Sequence, residues 1–181
     1  MPKSNATELV VIYGPMFAGK TTKLIDIYDK HKEKNCIAIN YALDVRFGFN
    51  QIVSHDGRSI NCHTILDLGN FTRTHTGIWD AEYMFINEAQ FFPNLLRNVL
   101  FIKDVLHINV VLCGLDLDFK RQPFGELLAL LPYATTSLKM SGRCAMKGCT
   151  NPSIYSDRLT KDEDQILIGG KDEYIPVCGE C

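Results

Sequence analysis

The chain has 181 residues, 46% of them hydrophobic and 22% charged, with a formal net charge of −2. That length and apolar fraction suit one domain of ordinary size, or one with a small appendage, and exclude a disordered chain. The near-neutral charge excludes a general attraction to nucleic acid or anionic membrane, and no run approaches the roughly 18 apolar residues of a membrane span. The opening MPKSNATE lacks the apolar core of a secretory signal, so a cytoplasmic protein is expected.

In chain order, ELVVIY (8–13) predicts a buried strand, and TTKLIDIYDKHKEK predicts a helix with Leu24, Ile25, Ile27 and Tyr28 against a charged remainder. CIAIN (36–40), YMFIN (83–87) and INVVLCG (108–114) read as further strands. PNLLRNVLFIKDVL (93–106) reads as a helix with Pro93 in its first turn, and GELLALLPYA (125–134) as a short helix ending near Pro132. Alternating strands and helices predict an α/β fold, a parallel sheet with helices on its faces. From about Ser141 helical periodicity is lost and the apolar runs shorten to QILI and YIPV. The expected division is therefore 1–140 and 141–181, the second part too small to build a core and suited to a structural metal.

Between the first strand and helix lies GPMFAGKTT (14–22), the spacing G-x-x-x-x-G-K-T of a phosphate-binding loop. Gly14 and Gly19 let the backbone approach phosphate oxygens, Lys20 reaches the β- and γ-phosphates, and Thr21 offers a hydroxyl to Mg²⁺. Strand before and helix after are the context this motif requires. At the end of another strand, FINEAQFF (85–92) places Asn87, Glu88 and Gln90 where ligands bind in open α/β sheets. A carboxylate there can take the proton of an attacking hydroxyl, or be a solvated strand end. In YALDVRFGF (41–49), Asp44 and Arg46 point the same way; they suit metal-bound water and phosphoryl charge, or a plain surface ion pair. GLDLDFKRQPFG (114–125) delivers Leu115, Phe119 and Phe124, which suit a planar ring ligand or plug the core.

Seven cysteines include two close pairs, Cys144/Cys149 and Cys178/Cys181. C-x₄-C and C-x₂-C separated by 28 residues read as a four-thiolate zinc site, with two disulfides as the alternative. Cys36, Cys62 and Cys113 sit singly in or beside apolar runs and read as small hydrophobes, with a catalytic thiol as the alternative.

GPMFAGKTT, DVR, NEAQFF, GLDLDFKRQPFG, the two cysteine pairs and GGKDEY, in that order, resemble the zinc-containing thymidine kinases of the cellular and poxvirus type across nearly the whole chain. The resemblance implies a P-loop NTPase-like α/β domain with a zinc-binding lasso, transfer of the ATP γ-phosphoryl group to the 5′-hydroxyl of thymidine with Mg²⁺, and a homotetramer without nucleic-acid or membrane partners. By that likeness Glu88, Lys20 and Arg46 are catalytic. Gly14, Pro15, Met16, Phe17, Ala18, Gly19, Lys20, Thr21 and Thr22 bind ATP, joined by Asp44, Asn87 and Gln90. Met16, Leu115, Phe119, Phe124, Ser156 and Tyr174 surround the thymine, and the backbone of Ile166, Leu167, Ile168 and Gly169 meets its edge. Two departures stand out. Asn87 replaces the family's usual Asp, which also suggests an inactive nucleoside binder, and the first cysteine pair has four intervening residues where many relatives have two. A P-loop ATPase or GTPase switch whose zinc lobe binds protein or nucleic acid is the remaining rival class, but the GTPase's Asn-Lys-x-Asp motif is missing from the sequence and KDEDQ (161–165) puts three acids in the lobe.

Overall fold

The structure, a computed structural model, describes residues 6–44 and 48–181. Six strands form one parallel sheet: β1 (Leu9–Tyr13), β2 (Cys36–Tyr41), β5 (His63–Ile65), β6 (Tyr83–Ile86), β7 (Asn109–Gly114) and β8 (Thr136–Lys139). Their order across the sheet is β5-β2-β6-β7-β1-β8. The antiparallel hairpin of β3 (Gln51–Val53) and β4 (Ser59–Asn61) fills the passage from β2 to β5.

Alternation along the strands builds two separate core layers. Leu9, Val11, Ile39, Met84, Ile86, Val110 and Leu112 face α2 (Leu68–Thr74), α3 (Leu95–Leu100) and the 3₁₀ segment Leu127–Tyr133. Val10, Ile12, Ala38, Phe85, Val111 and Cys113 face the other way, onto Leu24 and Ile25 of α1 (Lys20–His31) and Ile52 and Ile60 of the hairpin. Burial of each such aliphatic side chain contributes roughly 1.5–3 kcal/mol. The result is the expected sheet covered on both faces.

Three local details depart from expectation. Pro93 lies outside α3, because Asn94 adopts a left-handed conformation (φ 52°) and the helix begins only at Leu95. The same helix then widens into a π turn over Phe101–Val105, where the Leu106 N–H reaches back to the Phe101 carbonyl. The expected short helix is a 3₁₀ segment that starts at Leu127 rather than Gly125, and it ends at Tyr133, near Pro132 as expected.

Past residue 140 the chain forms two small antiparallel ribbons, β9 (Gly142–Arg143) with β10 (Pro152–Ser153), and β11 (Tyr155–Arg158) with β12 (Tyr174–Val177). Residues 159–173, between β11 and β12, form neither helix nor strand. Among the described residues no helix is long and apolar enough to cross a membrane.

Candidate active site

The carboxyl ends of β1, β6 and β7 lie side by side, with Tyr13 opposite Gly114 and Ile86 opposite Leu112. The segments leaving them enclose a cleft of about 700 Å³, open mouth included.

The phosphate loop forms one wall. Gly14 takes φ 142°, and a Cβ there would stand 2.2 Å from the Met140 carbonyl oxygen, so only glycine fits between the loop and the strand beside it. Gly19, in the left-handed region at φ 80°, turns the chain into α1. Met16, Phe17, Ala18, Gly19, Lys20, Thr21 and Thr22 all line the cleft. The Lys20 ammonium donates to the Pro15 carbonyl at 2.6 Å, closing the loop on itself; Gly14 and Pro15 form its base behind the lining.

The floor is polar. Asn87 follows β6 directly; its amide oxygen accepts from the Cys113 thiol at 3.1 Å and from the Thr21 hydroxyl at 3.4 Å, while its NH₂ donates to Asn40 Oδ1 at 2.9 Å. Glu88 comes next, in a left-handed conformation (φ 52°, ψ 42°) that a non-glycine residue rarely adopts. Its carboxylate accepts from Gln90 Nε2 at 2.7 Å, and Gln90 is itself anchored by the Leu115 N–H, which donates to Oε1 at 3.0 Å. Gln90 thus supports Glu88 from outside the lining. Asp44 is buried in an adjoining recess that it shares with Thr21, Asn40, Asn87 and Glu88. Burial and the nearby Glu88 carboxylate push the Cys113 thiol up to about 12, with Lys20 opposing. Cys113 therefore serves as a buried donor to Asn87 rather than as a nucleophile.

The apolar side carries Met16, Leu115, Phe124 and Tyr174, and Leu167, Ile168 and Gly169 also line the cleft. Phe124 packs edge-on against Phe91, ring centroids 5.4 Å apart. Three residues expected around a base stand elsewhere. Ser156 is buried and accepts the Met16 N–H at 2.8 Å, so it steadies the phosphate loop; Phe119 lies outside the lining beneath Arg158; Ile166 is half exposed at the rim. Arg46 falls outside the described residues. Sequence reasoning missed His55 and Phe91, both in the lining. His55 enters from the tip of the β3–β4 hairpin, its ring 5.3 Å from that of Phe17, and no motif marks it.

The second ribbon region brings Cys144, Cys149, Cys178 and Cys181 together, one sulfur from each within 4.8 Å of all the others. Cys149 and Cys178 sulfurs are 3.8 Å apart, the edge of a tetrahedron with metal–sulfur bonds of about 2.3 Å. No disulfide joins any of the seven cysteines in the structure. N–H groups of Glu180 and Cys181 pull the Cys178 thiol down to about 6, while Cys178 pushes Cys181 up to about 12. Four such thiols cannot all ionise without a cation among them, so the donor set fits zinc.

The sequence profile of the thymidine kinase family matches residues 7–181. A thymidine kinase of Oryza sativa subsp. japonica is 36% identical over 176 residues, 94% of this chain; the chain spans 64% of that relative's length. One from Yaba monkey tumor virus is 32% identical over 173 residues, 94% of this chain and 92% of its own. Thymidine kinase 1 of Dictyostelium discoideum is 32% identical over 187 residues, 97% of this chain and 78% of its own. A match of this extent, over a chain whose phosphate loop, strand-end carboxylate and cysteine cluster stand as described, has one meaning: the chain belongs to the thymidine kinase family.

Proposed function

We propose that this chain transfers the γ-phosphoryl group of ATP to the 5′-hydroxyl of thymidine, giving dTMP and ADP. The observation that carries the reading is the meeting, in one cleft, of a phosphate loop, a strand-end carboxylate and an apolar slot lined in part by residues 167–169. Glu88 accepts the proton of the 5′-hydroxyl as its oxygen attacks the γ-phosphorus, and the bond to the β–γ bridging oxygen breaks. Lys20 and the backbone N–H groups of Phe17, Ala18 and Gly19 hold the β- and γ-phosphates; Arg46 is assigned to charge on the transferred group. Thr21, Asp44 and the Asn87 amide oxygen are hard oxygen donors around one recess and fit Mg²⁺, which when bound neutralises phosphate charge. Asn87 supplies a neutral oxygen in place of a charge, so Asp44 carries more of that duty.

On the nucleoside side, Met16, Leu115, Phe124 and Tyr174 enclose the base, and backbone groups of Leu167, Ile168 and Gly169 read its edge. Ser156 acts through Met16, and Phe119 through Arg158. The division into a nucleotide-binding part, 1–140, and a zinc lobe with its lasso, 141–181, belongs to the same reading. So do a homotetrameric assembly, a cytoplasmic place and a role in nucleotide salvage without nucleic-acid partners, all of which rest on the family likeness.

A coupled ADP-release assay tests the proposal. Thymidine is turned over, deoxyuridine is tolerated and deoxycytidine is rejected, because reversing donor and acceptor on a buried edge costs about 1–3 kcal/mol per mismatched group. Equal turnover of deoxycytidine would contradict the assignment of the base edge, and thymidine binding without turnover would favour a nucleoside-binding protein with Asn87 as its cause.

Four thiolates leave zinc no open position, so the metal supplies structure rather than chemistry. Cys178→Ser is expected to lose zinc and to raise the thymidine KM while ATP binding at the phosphate loop persists. Elemental analysis of the pure wild-type protein decides the first point; a protein without zinc overturns it.

A further inference from the structure

One side of the cleft is lined by residues of an irregular segment. Residues 159–173 form neither helix nor strand, include the acids Asp162, Glu163 and Asp164, and must be ordered against a backbone entropy of about 1–2 kcal/mol per residue. Long irregular segments of this kind need anchors of their own. Arg158 is the one that stands out. It is the last residue of β11, opposite Tyr174 at the start of β12, which places it at the neck where the segment leaves and returns.

Its side chain is 1% exposed. Nη1 donates to the carbonyls of Asp162 at 2.9 Å and Asp164 at 2.5 Å; Nη2 donates to the Gln165 carbonyl at 3.3 Å and to the Tyr174 hydroxyl at 2.6 Å. The guanidinium plane lies 3.7 Å over the Phe119 ring. A buried cation is expensive unless its donors are matched. Here all four Nη hydrogens go to the segment and to Tyr174, and Nε meets no acceptor. None is directed to a phosphate. The Tyr174 hydroxyl in turn donates to the Leu167 carbonyl at 2.8 Å, so Arg158 is one bond removed from two residues of the cleft lining. A second tether runs parallel to it: Gln165 Nε2 donates to the buried Asp118 carboxylate at 2.7 Å, whose other oxygen is fixed by the Lys120 and Gln122 N–H groups.

We propose that Arg158 is a positioning residue for nucleoside recognition: its guanidinium fork gathers the lasso carbonyls and the Tyr174 hydroxyl, and so sets the height at which Leu167, Ile168, Gly169 and Tyr174 close over the base. The inference rests on the thymidine kinase reading of the cleft. Lysine cannot substitute, because one ammonium cannot serve four acceptors in a plane and stack on a ring at once.

The test compares wild type, Arg158→Lys and Tyr174→Phe, each as the full zinc-loaded chain. The expected result for Arg158→Lys is a rise in thymidine KM of about tenfold, the ratio that a charged hydrogen bond at the low end of its range supports. The ATP KM and zinc content stay at wild-type values, and protease cuts within residues 159–173 more readily. Tyr174→Phe, which removes only the bridging hydroxyl, moves thymidine KM and protease sensitivity in the same direction, and it decides the matter should Arg158→Lys fail to fold. A lysine variant with wild-type thymidine KM and an uncut lasso overturns the proposal, as does a matching loss of ATP affinity and zinc, which marks a merely structural residue. Wild type that turns over no thymidine is instead a failure of the functional reading, and the protease comparison then still reports on what Arg158 holds.

Discussion

Replacing Glu88 by Gln is expected to lower turnover by about 10²–10⁴-fold, the range that a positioned general base supplies, while ATP binds as before. The substitution is nearly isosteric, and it retains the left-handed backbone at this position, φ 52° and ψ 42°, together with whatever strain that conformation stores. What changes is the acceptor. In the wild type, Gln90 Nε2 donates to the Glu88 carboxylate, and Gln90 cannot turn away because the Leu115 N–H holds its carbonyl. That clamp fixes the carboxylate through Oε2. An amide at 88 still accepts from Gln90 through its oxygen, but it then presents an NH₂ group where the base must be. Rapid-quench measurement of the phosphoryl-transfer step, with ATP affinity measured separately by calorimetry, checks the expectation. Turnover within tenfold of wild type would remove Glu88 from the chemistry, and weakened ATP binding would place it in nucleotide recognition instead.

The clamp around Glu88 also shows which parts of the site were legible in the sequence. The phosphate loop was, because its function depends on contiguous spacing and its flanking strand and helix carry strong periodicity. The two cysteine pairs were legible for the same reason, and the structure adds that their sulfurs converge. The Asn40–Asn87–Cys113 network was not. Its members come from three strands, brought together by a register in which the Asn87 N–H bonds to the Ile39 carbonyl and Ile86 stands opposite Leu112. No local pattern encodes that register. His55 was hidden for a related reason, since it reaches the cleft from a hairpin of two three-residue strands whose only inward apolar residues are Ile52 and Ile60.

The fold follows the same division. β1, β2, β6 and β7 are buried on both faces and read as apolar runs, whereas the edge strands β5 and β8 are short and mostly exposed or half-buried, with no continuous hydrophobic signal. α2 went unread although Asp67 caps it, accepting the Asn70 N–H, because seven residues with a glycine among them give the helical period little room. The Arg158 fork could not be anticipated from sequence at all. Its acceptors are main-chain carbonyls, which every residue has.

Lys20→Ala is the second large effect, with a loss in turnover of about 3–4 kcal/mol of transition-state stabilisation, some 10²–10³-fold. The ammonium now rests on the Pro15 carbonyl, across the mouth of the loop, and its charge reaches as far as Cys113 on the cleft floor. Lys20 lines the cleft together with the other loop residues and Glu88. On the proposed reading, this cation binds the γ-phosphate in the ground state and binds it more strongly as negative charge moves toward the β–γ bridging oxygen. Alanine removes both terms and leaves the Pro15 carbonyl without this donor, but the loop's backbone amides and the glycines that shape it remain. ATP affinity should consequently fall by less than turnover does. Comparing the single-turnover rate with the ATP dissociation constant separates the two: a rate loss much larger than the affinity loss assigns Lys20 to the transition state. Equal losses would mean that it only anchors the nucleotide, and the rate acceleration would then have to come from the Mg²⁺ ligands and Arg46.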